Sequence, residues 1–176
     1  CGSVFAIDMD GDLDLDVVTH SSNSQDIIWL ENDGNESFTQ HFVDNAYGTA
    51  AQDAKAADLD GDGDVDVIAA GGDCHWYEND GTQNFTKHLY SSEDLSDLYT
   101  VDFDFDGDLD ILAGVGKIIL FENDGSANFT AHEIHTPQNV NEKIHYLDFD
   151  ADGDYDIVAS LRFEHDIRWW ENDGCL

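Results

Sequence analysis

The chain is short of positive charge. Its 176 residues hold six Lys and Arg against 40 Asp and Glu, a formal net charge of −34. Nucleic acid and anionic membrane surfaces select basic patches, so neither is a direct partner. Long apolar runs are missing too. No stretch approaches the ~20 residues that cross a bilayer, and the chain does not open on a signal-peptide pattern, so no direct membrane insertion is expected. The three cysteines, Cys1, Cys74 and Cys175, are too few for a disulfide scaffold. Proline occurs once, at Pro137. No Ser or Cys sits in a nucleophile motif, and no catalytic arrangement is predicted.

What is abundant is aspartate, and it is not scattered. A nine-residue stretch, Asp58-Leu59-Asp60-Gly61-Asp62-Gly63-Asp64-Val65-Asp66, has counterparts starting at Asp8, Asp102 and Asp148. Each copy places Asp at positions 1, 3, 5, 7 and 9. The four sets are Asp8, Asp10, Asp12, Asp14, Asp16; Asp58, Asp60, Asp62, Asp64, Asp66; Asp102, Asp104, Asp106, Asp108, Asp110; and Asp148, Asp150, Asp152, Asp154, Asp156. Half of the acidic residues therefore lie in four short windows. Carboxylates this close repel one another unless a counter-charge is supplied. Six basic side chains cannot supply it, so a cation from solution must.

The loop reads D-x-D-x-D-G-x-x-D. Side chains at positions 1, 3, 5 and 9 offer carboxylate oxygens. Position 7 (Asp14, Asp64, Asp108, Asp154) is expected to offer its backbone carbonyl. An all-oxygen set in a flexible loop suits Ca²⁺ better than Mg²⁺, and the lack of a Cys/His cluster argues against zinc. About four Ca²⁺ per chain are expected. They would add eight positive charges to −34 and leave −26, still strongly acidic. Glycine at position 6 (Gly63, Gly107, Gly153) permits a sharp turn, whereas the first copy has Leu13 there. An EF-hand is excluded because position 12 is not Glu and strands flank the loop. The bland alternative, the solvent face of a strand, does not explain four copies.

Around each loop the sequence reads as four short strands. In the second copy these are residues 54–59, 66–70, 74–77 and 84–90, with Asp80-Gly81 as a hairpin turn signal. The third strand and its turn recur as Trp29-Leu30-Glu31-Asn32-Asp33-Gly34, Leu120-Phe121-Glu122-Asn123-Asp124-Gly125 and Trp169-Trp170-Glu171-Asn172-Asp173-Gly174. Four-stranded units of about 40–50 residues point to a β-propeller or a similar radial array. The expected fold is all-β: one domain over 1–176, a propeller of four blades (units 1–48, 49–94, 95–138 and 139–176), the last blade lacking its outer strand.

Other repeated residues have structural readings. Trp29, Trp76 and Trp169 share a register with Leu120, which suits packing between units better than sugar stacking. His41, His88 and His132 recur once per unit with no second ligand nearby in sequence. Cys74 sits where other units have Ile27 and Ile167, as a small buried hydrophobe. Asn35, Asn84 and Asn128 open glycosylation sequons, yet they also stand where a turn favours Asn. Cys-Gly-Ser at residues 1–3 is how a mature bacterial lipoprotein begins. The other reading is disulfide formation between Cys1 and Cys175. In a regular propeller they fall on opposite faces, so an intermolecular bond linking subunits head to tail is expected over an intrachain one.

The Asp loop, the W-x-E-N-D-G turn and the F-T-x-H strand (Phe38-Thr39-Gln40-His41, Phe129-Thr130-Ala131-His132) resemble the FG-GAP/VCBS repeat family, which includes the calcium-binding blades of integrin α-subunit propellers. The resemblance covers nearly the whole chain. It implies a β-propeller with Ca²⁺ in loops on one face. The expected function is a non-catalytic, calcium-stabilised extracellular or cell-surface module for structure and self-assembly, its partners being copies of itself in an oligomer or fibre. The alternatives are an adhesin module with a glycan or protein ligand, or an accessory domain of a larger secreted protein.

Overall fold

The computed structural model describes residues 2–21, 24–48, 51–114, 116–135, 141–161 and 166–172. Cys1 and Cys175, and hence their expected disulfide, lie outside the described residues. Among those residues the chain is all-β, with fifteen strands and no helix, in four antiparallel sheets. The first sheet is β1 (Val4–Ile7), β2 (Asp16–His20), β3 (Ile27–Asn32) and β4 (Phe38–Asp44). The second is β5 (Asp53–Ala57), β6 (Asp66–Ala70), β7 (Cys74–Asn79) and β8 (Phe85–Ser91). The third is β9 (Asp97–Val101), β10 (Asp110–Gly114), β11 (Ile118–Asn123) and β12 (Phe129–His135). The fourth has three described strands, β13 (Asn141–Leu147), β14 (Asp156–Leu161) and β15 (Asp166–Trp170). Each sheet is a meander in chain order, so every Asp loop joins its first strand to its second.

Two compact units divide the chain, Cys1–Leu98 and Tyr99–Leu176. In the first, Val18, Ile27 and Trp29 of the first sheet pack on Ala54, Ala56, Val67, Ala69 and Tyr77 of the second. In the second, Val101, Phe103, Leu112, Ile118 and Leu120 pack on Ile144, Ile157, Ala159 and Leu161. The composition of each strand follows from how many of its faces are covered. All five residues of β6 (DVIAA) and of β10 (DILAG) are buried, and both read as unbroken apolar runs after their Asp. β2 alternates buried and half-buried, as a strand covered on one side does. β15 is exposed along nearly its whole length.

The repeated Trp and His are partners. Trp29 stacks on His41 with ring centroids 4.5 Å apart, and Trp76 stacks on His88 at 4.6 Å. The same histidines reach Glu31 at 2.6 Å and Glu78 at 2.8 Å, and His132 reaches Glu122 at 2.7 Å. The Glu of the turn motif and the His of the outer strand thus clip the third and fourth strands together. Cys74 is fully buried, as its alignment with Ile27 predicts.

Packing between the first two sheets sets the stability of the first unit. Ile27→Ala empties a fully buried site there. It should destabilise the protein by about 2–4 kcal/mol, read as a fall in the urea midpoint with an unchanged slope.

Candidate metal centres

Each Asp loop is wound by its own carboxylates. In the second sheet Gly61 N and Gly63 N donate to Asp58 Oδ1 and Oδ2 at 2.9 and 3.0 Å. Asp62 N donates to Asp60 at 3.2 Å, and Asp64 N to Asp62 at 2.9 Å. The first loop repeats this with Gly11, Leu13, Asp12 and Asp14 as donors. These are Asx turns in series: an Asp side chain bonds the backbone two or more residues on and curls the chain around a centre. One carboxylate oxygen from each of three residues comes within 4.8 Å of the other two in every loop. The groups are Asp8, Asp10 and Asp16; Asp58, Asp60 and Asp62; Asp102, Asp104 and Asp106; and Asp148, Asp150 and Asp152.

Position 9 anchors the loop. Asp16, Asp66, Asp110 and Asp156 are buried. One oxygen of each accepts from the backbone at position 2, from Met9, Leu59, Phe103 or Phe149, at 2.9–3.0 Å. The other accepts from the backbone of Asn32, Asn79, Asn123 or Asn172 at 2.7–3.0 Å. Those four asparagines are the N of the E-N-D-G turn. Asn32, Asn79 and Asn123 return a bond, their Nδ2 atoms donating to the carbonyls of Leu15, Val65 and Leu109. The carboxylates of Asp14, Asp64 and Asp108 lie over Gly34, Gly81 and Gly125 of the same turns. A Cβ at any of these glycines would collide with them. Loop and turn are therefore one clamp, which is why the two motifs travel together. Their spacing held this signal, but the role of the asparagine needs the strand register to be seen.

The backbone requires left-handed residues at two positions, of which sequence reasoning found one. Position 6 has φ of +97°, +105° and +106° at Gly63, Gly107 and Gly153, and +76° at Leu13. Position 4 is also left-handed, at Gly11, Gly61, Phe105 and Ala151. The first loop keeps the shape of the second despite Leu13, with strain rather than distortion as the result.

The loop carboxylates hold their protons more tightly than usual. Burial raises Asp10, Asp60, Asp104 and Asp150 above the usual carboxylate range, and neighbouring carboxylates add to the rise. Burial pushes Asp66 up to about 7 and Asp110 to about 6, against the pull of their backbone donors. Asp154 is pushed to about 6 by desolvation and by Asp152 beside it. In the third loop Asp102 Oδ1 is buried and accepts no hydrogen bond. A hard divalent cation fits this donor set: oxygen only, like-charged, and with an oxygen left over.

Two outcomes follow from these shifts and from Leu13. In chelator, groups whose folded pKa exceeds the unfolded value bind more protons folded than unfolded, so stability falls as pH rises. Melting temperature without cation should drop between about pH 4 and pH 7, the window bounded by the unfolded carboxylate value and that of Asp66. A flat or rising profile would contradict it. Leu13→Gly should relieve about 1 kcal/mol of left-handed strain, seen as a higher melting temperature and tighter cation binding at the first loop.

The FG-GAP-like repeat family matches residues 8–69 and 58–113. No curated protein matches the chain. Among solved structures, the V. cholerae biofilm matrix protein Bap1 is similar in fold, with a TM-score of 0.54 at 21% sequence identity. The likeness covers 90% of this chain but 24% of that one, so the chain spans about a quarter of its length. The matched segments run from the first Asp loop through the third and take in the first two turns that clamp them, and the chain belongs to the FG-GAP-like repeat family.

Proposed function

We propose that this chain is a non-catalytic, calcium-stabilised extracellular module that serves structure or adhesion and associates with copies of itself. Its four sheets act as consecutive blades of one β-propeller domain. The observation that carries this reading is the fourfold recurrence of a carboxylate triad within 4.8 Å in a loop that ends on a buried, doubly hydrogen-bonded Asp. Asp58, Asp60, Asp62 and Asp66 would hold the ion in the second loop, with the Asp64 carbonyl, and their counterparts would do so in the others. Bound Ca²⁺ supplies charge neutralisation and rigidity. The chain supplies the rest: Asx turns that shape the loop before the ion arrives, and a clamp that transmits loop order to the third strand. That the fold relative is a biofilm matrix protein supports a place outside the cell, where calcium is plentiful enough for sites of ~10⁻⁴–10⁻³ M.

A second reading, an adhesin module that takes a glycan or protein, draws on a polar cleft of about 270 Å³. Asp8, Asp10 and Gly11 of the first loop line it together with Asp64, Asn79 and Gln83 of the second sheet.

Calcium titration followed by thermal denaturation tests the main reading. At free calcium about twenty times Kd, each site contributes about 1.8 kcal/mol, so melting temperature should climb with calcium and collapse in chelator. Asp62→Ala should lower the bound calcium by about one ion per chain. A melting temperature indifferent to chelator would exclude calcium stabilisation.

A further inference from the structure

Inside each compact unit the Asp loops of neighbouring sheets can be compared position by position. In the second unit, position 4 of the third loop is Phe105 and position 8 of the fourth is Tyr155. Their rings meet at 5.2 Å between centroids and 31° between planes, a tilted aromatic contact. Phe105 holds a φ of +61° to make it and stays 53% exposed. A bulky side chain in left-handed backbone is uncommon and strained. The ring contact offsets that strain.

In the first unit the corresponding positions are Gly11 of the first loop and Val65 of the second. Gly11 shares the left-handed backbone, with a φ of +79°, and a Cβ built on it would meet nothing within 4 Å. Where Phe105 fills the junction in the second unit, the first keeps the cleft of about 270 Å³, with Gly11 and Val65 in its lining. A cavity of ~150 Å³ already takes benzene. Buried Met9 and half-buried Val65 give the cleft apolar lining, and Asp8, Asp10 and Asp64 give it carboxylates. None of Asp58, Asp60 and Asp62 lines it, so it stands apart from the second loop's carboxylate triad.

We propose that this cleft receives an aromatic side chain, Phe or Tyr, from a basic segment of a partner protein. The chain carries its own example of the occupant, since Phe105 sits against Tyr155 at the corresponding positions. The basic character of the segment follows from charge. Carboxylates in the lining and a net charge of −34 draw in a cationic segment and turn an acidic one away. This rests on the adhesin reading above and narrows its ligand to a peptide with an aromatic residue beside Lys or Arg.

The tripeptide Lys-Phe-Lys is the probe and Lys-Ala-Lys its control, each titrated into the isotope-labelled chain in millimolar calcium and followed by amide NMR. Lys-Phe-Lys should shift the amides of Gly11, Val65 and Gln83, which line the cleft, and the shifts should saturate. Lys-Ala-Lys should bind at least about tenfold more weakly. Gly11→Phe places a ring of the chain itself in the cleft. It should keep the circular dichroism of the parent while losing at least about tenfold in affinity for Lys-Phe-Lys. If that variant does not fold, Phe105→Gly runs the test in reverse: it should open a matching cleft and add peptide-induced shifts at Tyr155. Parental affinity in folded Gly11→Phe overturns the proposal. Equal binding of both peptides overturns the aromatic occupant and leaves the adhesin reading standing. Silence of the cleft to both overturns the proposal and the peptide arm of that reading together.

Discussion

A buried aspartate at the end of each loop carries the architecture. Asp16, Asp66, Asp110 and Asp156 are taken out of water, a costly step for a carboxylate unless its oxygens are satisfied. Two backbone N–H groups satisfy each one, and they come from separate places, the loop itself and the turn after the third strand. The side chain that closes the loop therefore also fixes where the next hairpin begins. Burial of the same group raises its proton affinity where neighbours and desolvation press hardest, at Asp66 and Asp110. Fold geometry and raised proton affinity share one origin.

Much of this was legible in the sequence because it is written four times. One alternating Asp stretch is ambiguous, but four with a linked turn motif are not. The strands were legible for the same reason: β6 coincides with the apolar run at 66–70, and β7 and β8 lie within two residues of their expected limits. The left-handed residue at position 4 was hidden because the third and fourth copies put Phe105 and Ala151 there, residues that do not advertise positive φ. The pairing of His41 with Glu31 was hidden because the two are ten residues apart on adjacent strands, and sequence does not give register. Nor does sequence say which sheet faces are covered. Ile27 and Ile167 are the same residue in the same motif, yet one is core and the other surface.

Sheet packing and loop winding divide the work. Apolar contacts join neighbouring sheets within each compact unit, and they are insensitive to charge. The loops bond to their own sheet through the turn that follows the third strand. Half of the 40 acidic residues are thereby gathered in the loops between first and second strands.

That confinement shapes how the molecule reads its surroundings. On the calcium reading proposed above, a clamp hydrogen-bonded within one sheet would take most of its information from its own ion, and the four would respond as separate rungs rather than as one switch. Differences in local strain, such as a leucine in left-handed backbone at one loop and glycine at the next, would spread the rungs over a range of calcium levels. The protein would then be a graded gauge, with rigidity gained sheet by sheet as the ion becomes plentiful and surrendered in the reverse order as it thins out.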